Sequence, residues 1–234
     1  MTAAVRTALR LGRVSNLPTV WTNVLAGIAL AGGEARPAIV LPIGLGLSLL
    51  YVSGMYLNDA FDRGWDAVHR PERPIPSGAA TARVVFGAGF ALMGAGLSVL
   101  AAAAGPRPLL AGAGLAALIV AYDAVHKRTP LATVLMGLCR VAVYVTAALA
   151  VTARPRPALA VGGAVLLAYM VSLTSIARHE ARNPRLPALV GALLAGICLL
   201  DAGVLLALGR PLQAGLAALG FPLTLALQRH VPGT

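Results

Sequence analysis

One polar stretch interrupts an otherwise apolar chain of 234 residues: Tyr56-Leu-Asn-Asp-Ala-Phe-Asp-Arg-Gly-Trp-Asp-Ala-Val-His-Arg-Pro-Glu-Arg-Pro-Ile-Pro-Ser-Gly78. This polar segment contains four of the eight acidic residues in the sequence. On a helix, Asn58, Asp62 and Asp66 fall at positions i, i+4 and i+8, so their side chains lie along one face, with Asp59 beside it. Stacked oxygen ligands repel one another unless a cation lies between them, and they favour a hard ion such as Mg²⁺.

The second half of the polar segment combines prolines with basic residues. Prolines at positions 71, 74 and 76 cannot continue the helix, so they end it shortly after Asp66. Arg70 and Arg73 are thereby placed just beyond the carboxylates, and guanidinium groups suit phosphate oxygens well. The segment therefore predicts a diphosphate that is held through Mg²⁺.

The remainder of the chain has the composition of a membrane protein. Hydrophobic residues make up 58% of the sequence and charged residues 12%, with a mean hydropathy of +0.81. Apolar runs of about 20 residues are long enough to cross a bilayer as helices. Hydropathy and Gly/Pro breaks predict an all-α integral membrane protein with about eight (seven to nine) spans, placed at 15–33, 38–60, 82–104, 108–122, 131–153, 157–177, 187–208 and 211–228.

The net charge of +11 would suggest nucleic acid as a partner of a soluble protein. Here the basic residues cluster in the loops between spans, so membrane topology and anionic lipid explain the charge better and no nucleic acid is expected. If the amino terminus is cytoplasmic, thirteen basic residues lie on that side and five on the other. This asymmetry predicts insertion in the cell inner membrane with the polar segment on the cytoplasmic side.

The pattern Asn58-Asp59-x-x-Asp62-x-x-x-Asp66, followed by Arg70-Pro71-x-Arg73-Pro74-Ile75-Pro76-Ser77-Gly78, resembles the first signature of the UbiA family of membrane prenyltransferases. The resemblance implies one domain over residues 1–234, a helical bundle around a central cavity. It also implies Mg²⁺-dependent transfer of a prenyl group from a prenyl diphosphate to an aromatic or other small or lipid acceptor, with release of diphosphate. By position, Asn58, Asp62 and Asp66 would be metal ligands, with Asp59 supporting them, and Arg70 and Arg73 would bind the diphosphate.

Two further segments resemble the family pattern less closely. The run from Arg13 to Asn23 is similar to a first-helix pattern in which an asparagine faces the cavity, so Asn23 is a candidate cavity residue. The run from Tyr122 to Leu131 resembles a segment that supplies basic residues to the phosphate, which implies roles for Lys127 and Arg128. Asp123 stands where the family usually has a tyrosine.

Arg140 lies alone inside an apolar run, as does Asp201. A charge within a membrane span is costly and usually faces a cavity or a partner. Two interpretations stay open at this point: Arg140 reaches toward the diphosphate, or it pairs with Asp201 as a structural bridge.

The second acidic signature of the family is reduced to one acid in Arg178-His179-Glu180. Arg178 fits the family's arginine and would bind the diphosphate, Glu180 is the remaining acid, and His179 is a candidate base. This departure resembles a divergent, EboC-like branch. It also keeps an alternative function open, that of a non-catalytic or weakly catalytic membrane protein that binds an isoprenoid or a pathway intermediate.

Overall fold

The computed structural model describes residues 2–127, 129, 131–178 and 186–233, and the regular structure in these residues is helical. A short 3₁₀ turn, Val14–Asn16, lies between the first two α-helices. The α-helices of the described residues are α1 (Ala3–Leu11), α2 (Leu17–Leu30), α3 (Pro37–Phe61), α4 (Arg63–His69), α5 (Ala82–Ala104), α6 (Pro106–Val125), α7 (Ala132–Leu149), α8 (Ala158–Ala177), α9 (Leu186–Ala207) and α10 (Pro211–Gln228).

The predicted all-α membrane architecture is confirmed, with some differences in the helix count. Within the described residues, α3 and α5 to α9 are long and apolar enough to cross a membrane. The eight predicted segments correspond to α2, α3 and α5 to α10, with ends that shift by a few residues. Helices α1 and α4 were not predicted as separate elements, because α1 is a short helix with two arginines and α4 lies inside the polar segment.

Helix α2 lies at the centre of the bundle and packs against α3, α7, α9 and α10. One apolar core joins α2, α3 and α6 through side chains such as Val24, Leu50 and Leu115. The backbones of α2 and α7 approach closely at Gly27, where an added Cβ would lie 2.6 Å from the carbonyl oxygen of Tyr144. Small residues allow such close packing between membrane helices.

The polar segment continues the helical path of α3 with one interruption. Asp62 ends α3 and precedes α4, and its backbone stays in the helical region. The Asp62 amide donates to the carbonyl of Asn58, and the Asp66 amide donates to that of Asp62. The chain leaves the helix at Arg70, just before the first proline. The predicted helical spacing and the predicted end of the helix are therefore both present.

Candidate functional site

A cavity of about 270 Å³ lies between α2, α3 and α6 to α9. Its mouth is polar and is formed by the end of α3, the polar segment and the end of α6. Its deeper walls are apolar, with contributions from Val20, Leu47, Ile119 and Met170. The charged and amide side chains at the mouth are those of Arg13, Asn16, Asn58, Asp62, Arg70, Arg73, Asp123, His126 and Lys127.

Two arginines neutralise the acids that lie furthest from the cavity. Arg73 Nη1 lies 3.1 Å from Asp59 Oδ1 and 3.1 Å from Asp66 Oδ2. Arg13 Nη2 lies 2.9 Å from Asp59 Oδ1. Burial raises the pKa of Asp66 although Arg73 opposes this shift. Asp59 lines an outer polar recess rather than the central cavity, and Asp66 lines neither, so Arg73 stands between these two predicted metal ligands and the mouth.

Asp62 faces the cavity, and two basic side chains that follow α6 contact its carboxylate. His126 Nε2 lies 3.1 Å from Asp62 Oδ1, and Lys127 Nζ lies 3.1 Å from Oδ2. Burial alone would raise the pKa of Asp62, but the hydrogen bonds and charges of His126 and Lys127 outweigh it and the pKa is lowered. Asp62 is therefore kept as a carboxylate at the mouth.

Two neighbouring side chains fix the orientation of the Asn58 side-chain amide. Its Nδ2 donates to Asp123 Oδ1 at 3.1 Å, and its Oδ1 accepts from Arg13 Nη2 at 3.3 Å. A carboxylate accepts hydrogen bonds and a guanidinium donates them. The two partners therefore determine which atom of the amide is the oxygen and which is the nitrogen. The other oxygen of Asp123, Oδ2, is buried and has no hydrogen-bond partner among the described residues.

Arg13 reaches this site from the turn between α1 and α2. Its backbone lies in the left-handed region, at φ 41° and ψ 46°. Residues with a Cβ rarely adopt this conformation. The strain turns the chain so that the guanidinium enters the polar mouth. Burial alone would lower the pKa of Arg13, but Asp59, Asp123 and two nearby tyrosines together outweigh burial, and the pKa is raised.

Trp65 of α4 lies beside the basic residues at the mouth. Lys127 Nζ is 4.1 Å from the centre of its ring, and the guanidinium carbon of Arg70 is 5.8 Å away. Cation–π contacts of this kind hold long basic side chains in place without a counter-ion. Arg70 lines the cavity and forms no ion pair within the described residues.

A second polar cluster lies deeper, between α2, α7 and α9. Asp201 is fully buried, and its oxygens accept from Thr22 Oγ1 at 2.5 Å, from Asn23 Nδ2 at 2.8 Å and from the hydroxyl of Tyr144. Arg140 Nη1 donates to Asn23 Oδ1 at 3.2 Å and lines the cavity. Arg140 and Asp201 are therefore linked through Asn23 and not by the direct ion pair that the sequence left open.

Several sequence-based assignments take a different place in the structure. Asn23 does not line the cavity, because Asp201 and Arg140 hold its side chain between the helices in the interior of the bundle; Asn16 does line the cavity. Arg178 does not line the cavity either; it is exposed and donates to the carbonyl of Thr129 at 3.0 Å. Three further candidates lie outside the described residues: Arg128, His179 and Glu180.

Sequence reasoning missed Arg13, Asp123 and His126 as members of the site. Two of them carried a signal in the sequence: Asp123 and His126 lie one turn apart at the end of an apolar helix, beside Lys127. Arg13 begins the run that resembles the first-helix pattern, but nothing beyond its charge assigned its side chain to the mouth. Within the described residues, no three His, Cys, Asp or Glu side chains lie close enough together to hold a metal ion by themselves.

Comparison with known proteins identifies the family. The model of the UbiA prenyltransferase family matches residues 20–231. The chain belongs to this family. With six long apolar helices among its described residues, this UbiA-family chain is an integral membrane protein.

Curated relatives of this UbiA-family protein include a digeranylgeranylglyceryl phosphate synthase of Methanopyrus kandleri, 32% identical over 72% of the chain and 60% of the relative. A protein of the same name from Methanoregula boonei is 35% identical over 46% of the chain and 40% of the relative. A protoheme IX farnesyltransferase of Geobacter sulfurreducens is 32% identical over 46% of the chain and 40% of the relative. The chain thus spans 40% to 60% of the length of these relatives.

Solved structures of the family share the fold. A UbiA homologue from Archaeoglobus fulgidus, bound to GPP and Mg²⁺, superposes with a TM-score of 0.65 at 17% identity and covers 94% of this chain and 99% of its own. A structure of digeranylgeranylglyceryl phosphate synthase gives a TM-score of 0.63 at 15% identity. The match covers 98% of this chain and 96% of the solved chain. At these identities the likeness supports the fold and not the substrate.

Proposed function

We propose that this protein transfers a prenyl group from a prenyl diphosphate to an acceptor within the membrane, in a Mg²⁺-dependent reaction. The observation that carries the proposal is the two-part cavity, in which basic and acidic side chains form the mouth and apolar side chains form the interior. A prenyl diphosphate has the same division into an anionic head and an apolar tail. A UbiA homologue of the same fold has been solved with GPP and Mg²⁺ bound, so this fold can accommodate such a ligand.

The residues at the mouth suit a Mg²⁺ ion that binds together with the substrate's phosphates. This ion is commonly bound by one or two carboxylates together with substrate phosphates and water. Asn58 and Asp62 line the mouth, and Asp123 adds a buried carboxylate oxygen without a hydrogen-bond partner in the part of the chain that the structure describes. These three residues would hold the ion, with Asp59 and Asp66 behind them. When bound, Mg²⁺ would neutralise charge that develops on the leaving diphosphate.

The chain's own residues account for the other steps. Arg70 and Lys127 bind the diphosphate oxygens, with Arg13 and Arg73 available beside them. The allylic C–O bond breaks and its electron pair leaves with the diphosphate, while the acceptor's nucleophile forms the new bond to the prenyl carbon. The proton of the acceptor is released. The apolar walls exclude water, which would otherwise capture the allylic cation.

The relatives suggest which acceptor to test first. Several of them are named digeranylgeranylglyceryl phosphate synthases, so a prenylated glyceryl phosphate should be tested as the acceptor before aromatic compounds. We also propose that the amino terminus and the cavity mouth face the cytoplasm at the inner membrane, because most of the basic residues lie on that side. Accessibility of single cysteines placed at Arg83 and Arg107, in a cysteine-free background, tests this orientation.

One experiment separates catalysis from binding alone. Purified protein is mixed with a prenyl diphosphate and Mg²⁺, and binding and diphosphate release are measured with and without acceptors. Asp62→Ala should abolish Mg²⁺-dependent binding and release, whereas Glu34→Ala, in an exposed loop away from the mouth, should change neither. Binding without release for glycerol-phosphate, quinonoid and indole acceptors would favour the non-catalytic alternative. Unchanged binding by Asp62→Ala would contradict the site.

A further inference from the structure

A second space, the outer recess, adjoins the mouth of the central cavity. Its volume is about 450 Å³. The recess lies between α1, the polar segment, the first turn of α9 and the segment that follows α10, which contribute Arg10, Glu72, Pro187 and Pro232 respectively. The transfer reaction proposed above assigns no ligand to this space.

Basic side chains outnumber acidic ones around the outer recess. Of its described lining residues, four are arginines and two are acids, namely Arg10, Arg13, Arg70, Arg73, Asp59 and Glu72. A concave surface with an excess of one charge raises the local concentration of ions of the opposite charge. The outer recess therefore favours an anion that carries more than one negative charge.

Many guanidinium donors in the outer recess are available to a ligand. A guanidinium carries five N–H groups, and all of them donate. Among the described residues, the side chains of Arg10 and Arg70 form no ion pair and no hydrogen bond. In Arg73, Nη1 contacts Asp59 and Asp66, while Nη2 and Nε have no hydrogen-bond partner in the described part of the chain. Phosphate oxygens suit such forked donors well.

The outer recess lacks the apolar walls of the central cavity. The apolar side chains in its described lining are those of three prolines, Pro74, Pro187 and Pro232. The central cavity, in contrast, has walls built from side chains such as Leu47 and Ile119. Burial of apolar surface is what holds a prenyl chain, and the outer recess offers little of it. The recess therefore suits a diphosphate without its prenyl chain.

Three arginines belong to both spaces. Arg13, Arg70 and Arg73 line the mouth of the central cavity and also the outer recess. They form the wall between the two spaces, and each guanidinium has donors for more than one acceptor. An anion can therefore move from the mouth to the outer recess while it keeps contact with at least one guanidinium.

We propose that the outer recess binds the inorganic diphosphate that prenyl transfer releases, on its way out of the mouth. This inference rests on the proposed function and gives its product a binding site. Once the allylic C–O bond has broken, the prenyl group stays in the central cavity with the acceptor. The diphosphate then moves past the three shared arginines, and no bond forms or breaks in this step. Binding in the recess needs no metal ion, because the arginines there outnumber the acids.

The test measures binding of inorganic diphosphate in the presence of EDTA, by calorimetry on the full chain in a non-ionic detergent free of phospholipid. Binding of geranyl thiolodiphosphate with Mg²⁺ is measured on the same preparations. The recess variants are Arg10→Gln and Glu72→Gln. The matched control is Arg6→Gln, which removes the same charge from an exposed position of α1 that does not line the recess. Lys127→Gln removes a charge that lines only the mouth.

Wild-type protein should bind diphosphate without metal, and Arg10→Gln should weaken this binding about 3- to 5-fold, as expected for a charge pair at an exposed position. Glu72→Gln should strengthen the binding, because it removes a repulsive charge. Arg6→Gln and Lys127→Gln should leave it unchanged. For geranyl thiolodiphosphate with Mg²⁺ the pattern should reverse, since Lys127→Gln weakens binding and Arg10→Gln does not.

A lipid headgroup offers the same phosphate oxygens as diphosphate, so phosphatidylglycerol is added to the detergent in a further arm. It should not displace diphosphate. Displacement that Arg10→Gln abolishes would assign the outer recess to anionic lipid and overturn the inference. Wild-type protein that binds no diphosphate in EDTA would also overturn it, as would equal losses in Arg10→Gln and Arg6→Gln.

The proposed function is read separately from the same preparations. If wild-type protein binds diphosphate but not geranyl thiolodiphosphate with Mg²⁺, prenyl transfer is contradicted and the recess remains an anion site without a product role. If it binds geranyl thiolodiphosphate with Mg²⁺ but no diphosphate in EDTA, only the outer recess is contradicted.

Discussion

Replacement of Asp201 by alanine should destabilise the bundle more than a typical substitution at its surface. Asp201 is fully buried and accepts hydrogen bonds from Thr22, Asn23 and Tyr144. In the alanine variant these three donors lose their acceptor inside the bundle. Measured side-chain hydrogen bonds in membrane proteins average about 0.6 kcal/mol and reach about 1.7 kcal/mol. Three such bonds give a loss of about 2 to 5 kcal/mol in the free energy of unfolding.

The assay is reversible unfolding of the purified protein by sodium dodecyl sulfate in mixed micelles, followed by circular dichroism. Asp201→Asn is the matched variant, because it keeps the volume and one acceptor oxygen, and it should lose less than Asp201→Ala. Glu34→Ala removes an acid from an exposed pair with Arg36 and should leave stability unchanged. A stability of Asp201→Ala equal to that of wild type would refute the cluster as an energetic unit and, with it, the account of how Arg140 is held.

Three further outcomes are expected. Gly27→Ala should lower the free energy of unfolding by about 1 to 3 kcal/mol in the same assay, because the new Cβ meets the backbone of Tyr144; no change would mean that α2 and α7 pack less closely. Asp123→Asn should weaken Mg²⁺-dependent binding of geranyl thiolodiphosphate about 10-fold, measured by calorimetry, since Asp123 orients Asn58 and offers its free oxygen. Removal of Mg²⁺ by EDTA should abolish that binding, and unchanged binding would contradict a role for the ion at the mouth.

The polar segment was predictable from sequence because its geometry is local. The spacing of Asn58, Asp62 and Asp66 needs only the helical repeat, and the following prolines set the end of the helix. The membrane helices were predictable for a similar reason, since length and hydropathy decide whether a segment can span a bilayer. These features do not depend on how distant parts of the chain pack together.

The missed residues depend on packing between distant segments. Arg13 meets Asp59 across 46 residues, and Asn58 meets Asp123 across 65. The left-handed backbone at Arg13, which directs its side chain into the mouth, has no signature in a sequence without glycine at that position. Arg140 likewise meets Asn23 across 117 residues. Hydropathy alone does not fix the rotation of each helix, so it could not show that Asn16 rather than Asn23 lines the cavity.

Charge balance explains why the two ends of the cavity should differ in their need for metal. Within the described residues, the mouth and the acids behind it bring together four basic and four acidic side chains, namely Arg13, Arg70, Arg73 and Lys127 with Asp59, Asp62, Asp66 and Asp123. A diphosphate that enters this balanced set adds negative charge that the side chains do not offset, and a divalent cation supplies the compensation. At the inner end, the guanidinium of Arg140 lines the cavity while the acid of its cluster stays behind Asn23, outside the cavity. This end therefore already presents a positive charge without a metal ion.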